Sequence, residues 1–291
     1  MSHGLDAFVV LNLHCDGTNG STSFPDGWIS NKTVTANGAA IVTTAVSKFG
    51  GASANLNLAG DYLTVPDSDD WNFGTGDFTI DFNVYQGTIT GNRPFIWQES
   101  GLGIWILRLI NDGATELIQF LYVDTGGVNR ADYRAVHNIS LSTWTHIALV
   151  RSGTSIFIFK DGVPYSLTVA QAIGSTAMPD FASVLNIGGQ AFAMSGRMDE
   201  LRISKGIARW TTTFTPPTEA YDAIEAAVGA AAGTGVAAGI GAGTAESVAA
   251  ASGAGAVAAD STGSGLSSAV GDAGGFGLAF RFPHVRRRDP E

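Results

Sequence analysis
The chain has 291 residues, a formal net charge of -10, 14% charged residues and 10% aromatic residues. Residues 1–222 hold 12 basic against 20 acidic side chains, a balance of -8, and phosphate recognition needs a basic patch, so nucleic acid is excluded as a partner class. The single cysteine, Cys15, excludes an intramolecular disulfide and gives no sign of an oxidising compartment.

The N-terminal stretch Met1-Ser2-His3-Gly4-Leu5-Asp6 lacks a basic segment followed by a long apolar one. No signal peptide is expected, and the chain is expected to fold in a cytoplasm. Residues 5–215 are dominated by short alternating segments. Phe78, Ile80, Phe82 and Val84 share one face, and Asp77, Thr79, Asp81 and Asn83 share the other. A period of two predicts a strand with one buried face. Trp105–Ile110 and Leu117–Val123 are apolar runs separated by the turn signal Asn111-Asp112-Gly113-Ala114-Thr115. Trp144–Val150 and Ile156–Phe159 flank Ser152-Gly153-Thr154, and Lys160-Asp161-Gly162 supplies a tight turn through its Asp-Gly pair. Trp144 is read as core and His146 as structural. Ser183–Ile187 and Arg197–Ser204 complete the set. Many short strands with frequent turns and little helical periodicity predict an all-β sandwich or jelly roll.

Pro216-Pro217 closes this part. Every Trp and nearly every other aromatic residue lies at or before Tyr221; only Phe276, Phe280 and Phe282 follow. Residues 223–279 are mainly small and contain no Lys or Arg. Such a composition cannot build an ordinary core. The domain reading is therefore a sandwich over 1–220, an Ala/Gly-rich linker or oligomerising arm over 221–280, and a basic terminal segment over 281–291.

Several segments resemble the laminin G-like domains of the concanavalin A-like lectin and glucanase superfamily. Asp61-Tyr62-Leu63-Thr64-Val65-Pro66, Trp71-Asn72-Phe73-Gly74 and Asp77–Phe82 resemble the first half of such a domain. Trp144-Thr145-His146-Ile147-Ala148 is similar to that family's W-x-H-I/V-A strand, and Phe159-Lys160-Asp161-Gly162 to its Asp-Gly hairpin. Leu185-Asn186-Ile187-Gly188 resembles its L-x-I-G strand. Gly196-Arg197-Met198-Asp199-Glu200-Leu201-Arg202-Ile203 resembles its closing G-x-I-D-E-V/L-R-I strand, with Met198 in place of Ile. The resemblance covers about residues 5–220 and implies a jelly-roll sandwich of two antiparallel sheets. The extension Ser204–Trp210, Phe214-Thr215-Pro216-Pro217 and the opening Leu13-His14-Cys15-Asp16-Gly17 are similar to versions in bacteriophage virion proteins.

The glucanases of this superfamily resemble one another in an E-x-D-x-E strand, where residues two apart share a face and line one groove. No such triplet occurs here. Asp77 and Asp81 are four apart with Thr79 between them, a pattern of a solvated strand face, so no catalytic residue is assigned and the chain is read as a non-enzyme. The resemblance implies a structural Ca²⁺ held by Asp199, with Asp16 and the backbone of Gly51 as further ligands and other oxygens completing the shell. His14-Cys15-Asp16 suggests no zinc site, since adjacent strand residues face opposite ways and no second Cys exists. Sugar rings stack on aromatic faces, so Trp28, Trp71, Trp97 and Tyr133 are the candidate glycan platform.

Twenty uncharged residues lie between Glu225 and Glu246, with Gly229, Gly233, Gly235, Gly239 and Gly243 at four-residue spacings. Scarcity of Leu, Phe and Ile argues against a membrane span, and close-packing small residues suit a symmetric stalk, a trimer first of all. Arg281, Arg286, Arg287 and Arg288 are the expected contact with another virion protein. The expected function is a non-catalytic virion component, a capsid decoration or tail fibre protein that displays a lectin-like sandwich to host-surface glycans. The alternatives are a carbohydrate-active enzyme of the same superfamily and a bacterial adhesin.

Overall fold
The computed structural model describes residues 6–113, 115–221, 251–252 and 254–255. The chain divides into two units, Met1–Glu225 and Ala226–Glu291. In the second, Ala251–Ser252 pairs antiparallel with Ala254–Gly255. The expected partner contacts Arg281, Arg286, Arg287 and Arg288 lie outside the described residues.

The first unit carries β1 (Val9–Leu13), β2 (Thr35–Asn37), β3 (Ile41–Thr43), β4 (Ser53–Leu56), β5 (Tyr62–Val65) and β6 (Phe78–Gln86). It continues with β7 (Arg93–Ser100), β8 (Gly103–Asn111), β9 (Glu116–Val123), β10 (Asn129–Val136), β11 (Trp144–Ser152) and β12 (Ser155–Lys160). The last are β13 (Val163–Pro164), β14 (Thr168–Gln171), β15 (Leu185–Gly188) and β16 (Gly196–Lys205). One sheet has the order β13-β12-β11-β6-β16-β4-β3, with β1 also on β16. The other has the order β14-β10-β9-β8-β7-β15-β5-β2. All these strand pairings are antiparallel.

The two inner faces form the core. Phe78, Ile80, Phe82 and Val84 of β6 and Ile147 and Leu149 of β11 are fully buried, as are Trp105, Leu107 and Leu109 of β8 and Ile118 and Phe120 of β9. Phe82 meets Phe95 across the layers at 5.4 Å between ring centres. Each such side chain removed from water contributes about 1.5–3 kcal/mol, so this interior is the main stabilising term.

The outer face of β6 departs from the sequence expectation. Thr79, Asp81 and Asn83 were expected to face solvent, yet all are buried. Residues 206–221 run back across this face. The Thr79 hydroxyl donates to Ile207 O at 3.0 Å and accepts from Arg209 N at 3.0 Å. Trp210 and Phe214 stack at 3.9 Å, and both meet the His146 ring edge-on. The strap docks on the Asp161-Gly162 turn, where Phe214 N donates to Gly162 O at 2.9 Å. Gly162 has φ +79, and a Cβ there would collide with Phe214 O, so the turn requires glycine twice over.

The closing strand β16 carries a bulge. Asp199 opposes Asn83, but Arg202 opposes Asp81, one residue out of step. Glu200 absorbs the shift at φ +51. The bulge returns Leu201 and Ile203 to the core and places Asp199 and Arg202 both on the outer face.

Candidate functional site
The bulge gathers the polar groups of one corner. Asp199 reaches the loop before β4: its Oδ2 accepts from Lys48 N at 2.7 Å and from Phe49 N at 3.1 Å. That loop turns through Gly50 and Gly51 at φ +58 and +91. A Cβ on Gly50 would strike the Asp16 carboxylate, so Asp16 lies directly against the turn. Glu200 takes His14 Nδ1 at 2.9 Å and Tyr221 N at 3.0 Å. Burial pushes the Asp199 carboxyl up to about 8; the Phe49 and Lys48 amides oppose this, and the Glu200 and Asp16 charges add to it. The His14 imidazole is raised by its bond to Glu200.

The sequence thus named two carboxylates, Asp199 and Asp16, that the fold brings to one corner beside Gly51. Asp199 Oδ1 and Asp16 Oδ1 are both buried without a hydrogen-bond partner. Two desolvated, unpartnered carboxylate oxygens are hard donors of the kind Ca²⁺ takes. Among the described residues no group of three or more His, Cys, Asp or Glu side chains is arranged to hold a metal ion. Backbone carbonyls and water would therefore have to complete any cation shell here.

The expected aromatic platform is not assembled. Trp71 is fully buried, its Nε1 donating to Pro66 O at 3.0 Å. Trp97 is buried with Nε1 on Gly188 O at 3.0 Å. Tyr133 is buried and its hydroxyl accepts from Ile173 N at 2.9 Å. Trp71 and Tyr133 pack in the core between the sheets, whereas Trp97, opposite Ile106, is buried outside that core; each spends its polar tip on a backbone carbonyl or amide, so these three rings offer no open face. Trp28 keeps partial exposure and packs on Val9 and Tyr221.

Two outer faces carry groups that sequence reasoning passed over. On the second sheet, Arg108, Gln119, Asp132 and Arg134 form a hydrogen-bonded row across β8, β9 and β10. The row ends at an open cleft of about 530 Å³ bordered by Asp112, Leu117, Arg134, Val136, Tyr165 and Thr168. On the first sheet, Trp144 is not core. It lies half-buried on the outer face opposite Tyr85, which in turn opposes Arg197. The signal was present: Trp144 is three residues before Ile147 and five before Leu149, and an odd offset on a strand means the opposite face.

The two-sheet jelly roll with a bulged closing strand defines a lectin-type sandwich. Residues 57–209 match the laminin G-type family described as the concanavalin A-like lectin/glucanases superfamily, and the chain belongs to that family. No curated protein matches the chain. Among solved structures it is similar to the botulinum neurotoxin serotype D binding domain, with a TM-score of 0.52, 13% identity, and coverage of 69% of this chain and 48% of that one. The binding domain of botulinum neurotoxin DC in complex with rat synaptotagmin II gives 0.51 and 12%, covering 69% and 49%. Domain 4 of AbnA, an extracellular arabinanase from Geobacillus stearothermophilus solved with arabinotriose, gives 0.47 and 16%, covering 69% and 93%. The chain spans about half the length of the neurotoxin domains it matches. At these identities the likeness is one of fold.

Proposed function
We propose that this chain is a non-catalytic, glycan-binding virion component, a capsid decoration or tail fibre protein, that displays its sandwich to host-surface glycans. The tail beyond residue 222 anchors it and assembles a homotrimer, and Arg281, Arg286, Arg287 and Arg288 meet another virion protein. Ca²⁺ on Asp199, Asp16 and the backbone near Gly51 fixes the loop at the bulge.

The observation that carries the binding reading is the use made of the carboxylates. Asp81 is taken up by Arg202, and Asp77 accepts from Gly153 N at 2.7 Å. Asp132 is taken up by Arg134 and Gln119. Asp61 and Asp26 hold loop amides. A glycosidase needs two free carboxylates across an open groove, and these groups serve the fold instead. The neurotoxin neighbours, described as binding domains, are compatible with this reading. The virion context is supported by the resemblance of the 204–217 extension to phage proteins.

The test of the context is deletion of residues 223–291. The truncated protein is expected to be absent from purified particles that carry the full-length chain. Continued incorporation contradicts the anchoring role.

A further inference from the structure
The outer face of the first sheet carries one more feature that the strap leaves open. A single row crosses five strands in register: Trp144 on β11, Tyr85 on β6, Arg197 on β16, Asn55 on β4 and Ile41 on β3. All five are half-buried, so each keeps part of its surface in solvent. The Tyr85 and Trp144 rings lie 5.6 Å apart at 58°. The Arg197 guanidinium sits 5.6 Å from the Tyr85 ring centre.

Arg197 stands out by what it does not do. Other arginines of the unit are engaged: Arg202 with Asp81, Arg134 with Asp132, Arg209 with Asp6, and Arg151 with loop carbonyls. Arg197 has no hydrogen bond or ion pair with any described residue, and its Nε is buried without a partner. Trp144 Nε1 is likewise buried and unpartnered. An unused guanidinium on an aromatic ring, in a chain of net charge -10, is a planar fork of donors lacking its acceptor.

We propose that Trp144, Tyr85 and Arg197 form a binding site for a carboxylate-bearing sugar. The proposal rests on the glycan-binding reading and names its ligand class. The rings supply an apolar face for the C–H side of a pyranose. Arg197 takes the carboxylate through a bidentate, charge-assisted pair. Asn55, next in the row, offers an amide to the ring hydroxyls. The strap, with Trp210 and Phe214 over His146, lies one pair further along β11 and walls one side of the site.

The experiment is a glycan array on the full-length protein, followed by titration of the best-bound glycan against wild type, R197Q, R197K and Y85A. Carboxylated glycans are expected to dominate the bound set. R197Q and Y85A are expected to weaken binding about tenfold or more, and methyl esterification of the glycan to weaken it as R197Q does. R197K is expected to fall between, since it keeps the charge and loses the fork. An unchanged circular dichroism spectrum shows that each variant folds; should Y85A not fold, R197Q and R197K decide. Binding of neutral or sulfated glycans only, or affinity within about twofold in R197Q and R197K, overturns this site and leaves the glycan-binding reading standing. A wild-type chain that binds no glycan overturns both.

Discussion

Asp81 and Arg202 face each other from β6 and β16 with two parallel hydrogen bonds, Nε to Oδ1 and Nη2 to Oδ2, each 3.1 Å, and both side chains are buried. Tyr221 closes the pair from above: its hydroxyl donates to the Asp81 carboxylate and its ring lies 4.0 Å from the Arg202 guanidinium carbon. The last described residue of the first unit is thereby tied to its two central strands.

Removing one member strands the other charge. Asp81→Asn is expected to cost about 3–5 kcal/mol, the usual penalty for breaking a buried pair, measured by urea unfolding. Burial opposes ionisation of Asp81, yet the Arg202 and His146 partners outweigh it and hold the carboxyl well below the ordinary range. A depressed folded-state value means the contribution is fully present above the unfolded carboxylate value of about 4 and is lost as pH falls below that. The gap between wild type and Asp81→Asn should stay level from about pH 7 to 5 and narrow below about 4. A gap that closes already near pH 6 would refute this assignment.

The strap makes the second claim. Gly162→Ala forces a Cβ into positive φ and into Phe214 O. A loss of about 2 kcal/mol or more is expected, with Trp210 fluorescence shifting to the red as the Trp210–Phe214 stack lifts. Unchanged stability and emission would show that the strap does not rest on the turn.

How much of this was legible in the sequence follows from range. The β6 alternation, the Asp161-Gly162 turn and the closing Gly196–Ile203 strand are local signals, and each falls where its residues place it. The strap over Thr79 and Asp81 was not legible, because Ile207 and Tyr221 lie more than 120 residues from the Thr79 and Asp81 they cover and no period records them. The bulge at Glu200 was hidden for a related reason: Asp199-Glu200-Leu201-Arg202 alternates only once one residue is taken out of step. Trp71, Trp97 and Tyr133 were candidates for an open platform because aromatic composition does not tell an inward face from an outward one, as for Trp71 and Tyr133, nor show that an outward ring is covered, as for Trp97. Trp144 was misread the other way, although its offset from Ile147 gave the answer. Asp199 and Asp16 both lie against the Lys48–Gly51 loop, a long-range placement that no local period records.

The corner at Asp199 gives a third expectation. Millimolar Ca²⁺ should raise the melting temperature of the full-length protein by several degrees, as binding to the folded state alone requires. Asp199→Asn should abolish that rise. An equal response in both proteins would remove Asp199 from the ligand set.

Light scattering on the full chain and on residues 1–222 addresses assembly. All strands of the sandwich and Tyr221 lie within that truncation. A trimer for the full chain and a monomer for the truncation are expected. Equal masses for the two would deny the tail any part in assembly.

The most direct measurement of all is calorimetric titration of the full-length protein with its best glycan from the array, with the sugar recovered afterwards and analysed by mass spectrometry. Saturable binding with the glycan returned intact is the expected result. Recovery of shortened glycan would make the chain an enzyme, and absence of heat with every glycan would contradict a glycan-binding role.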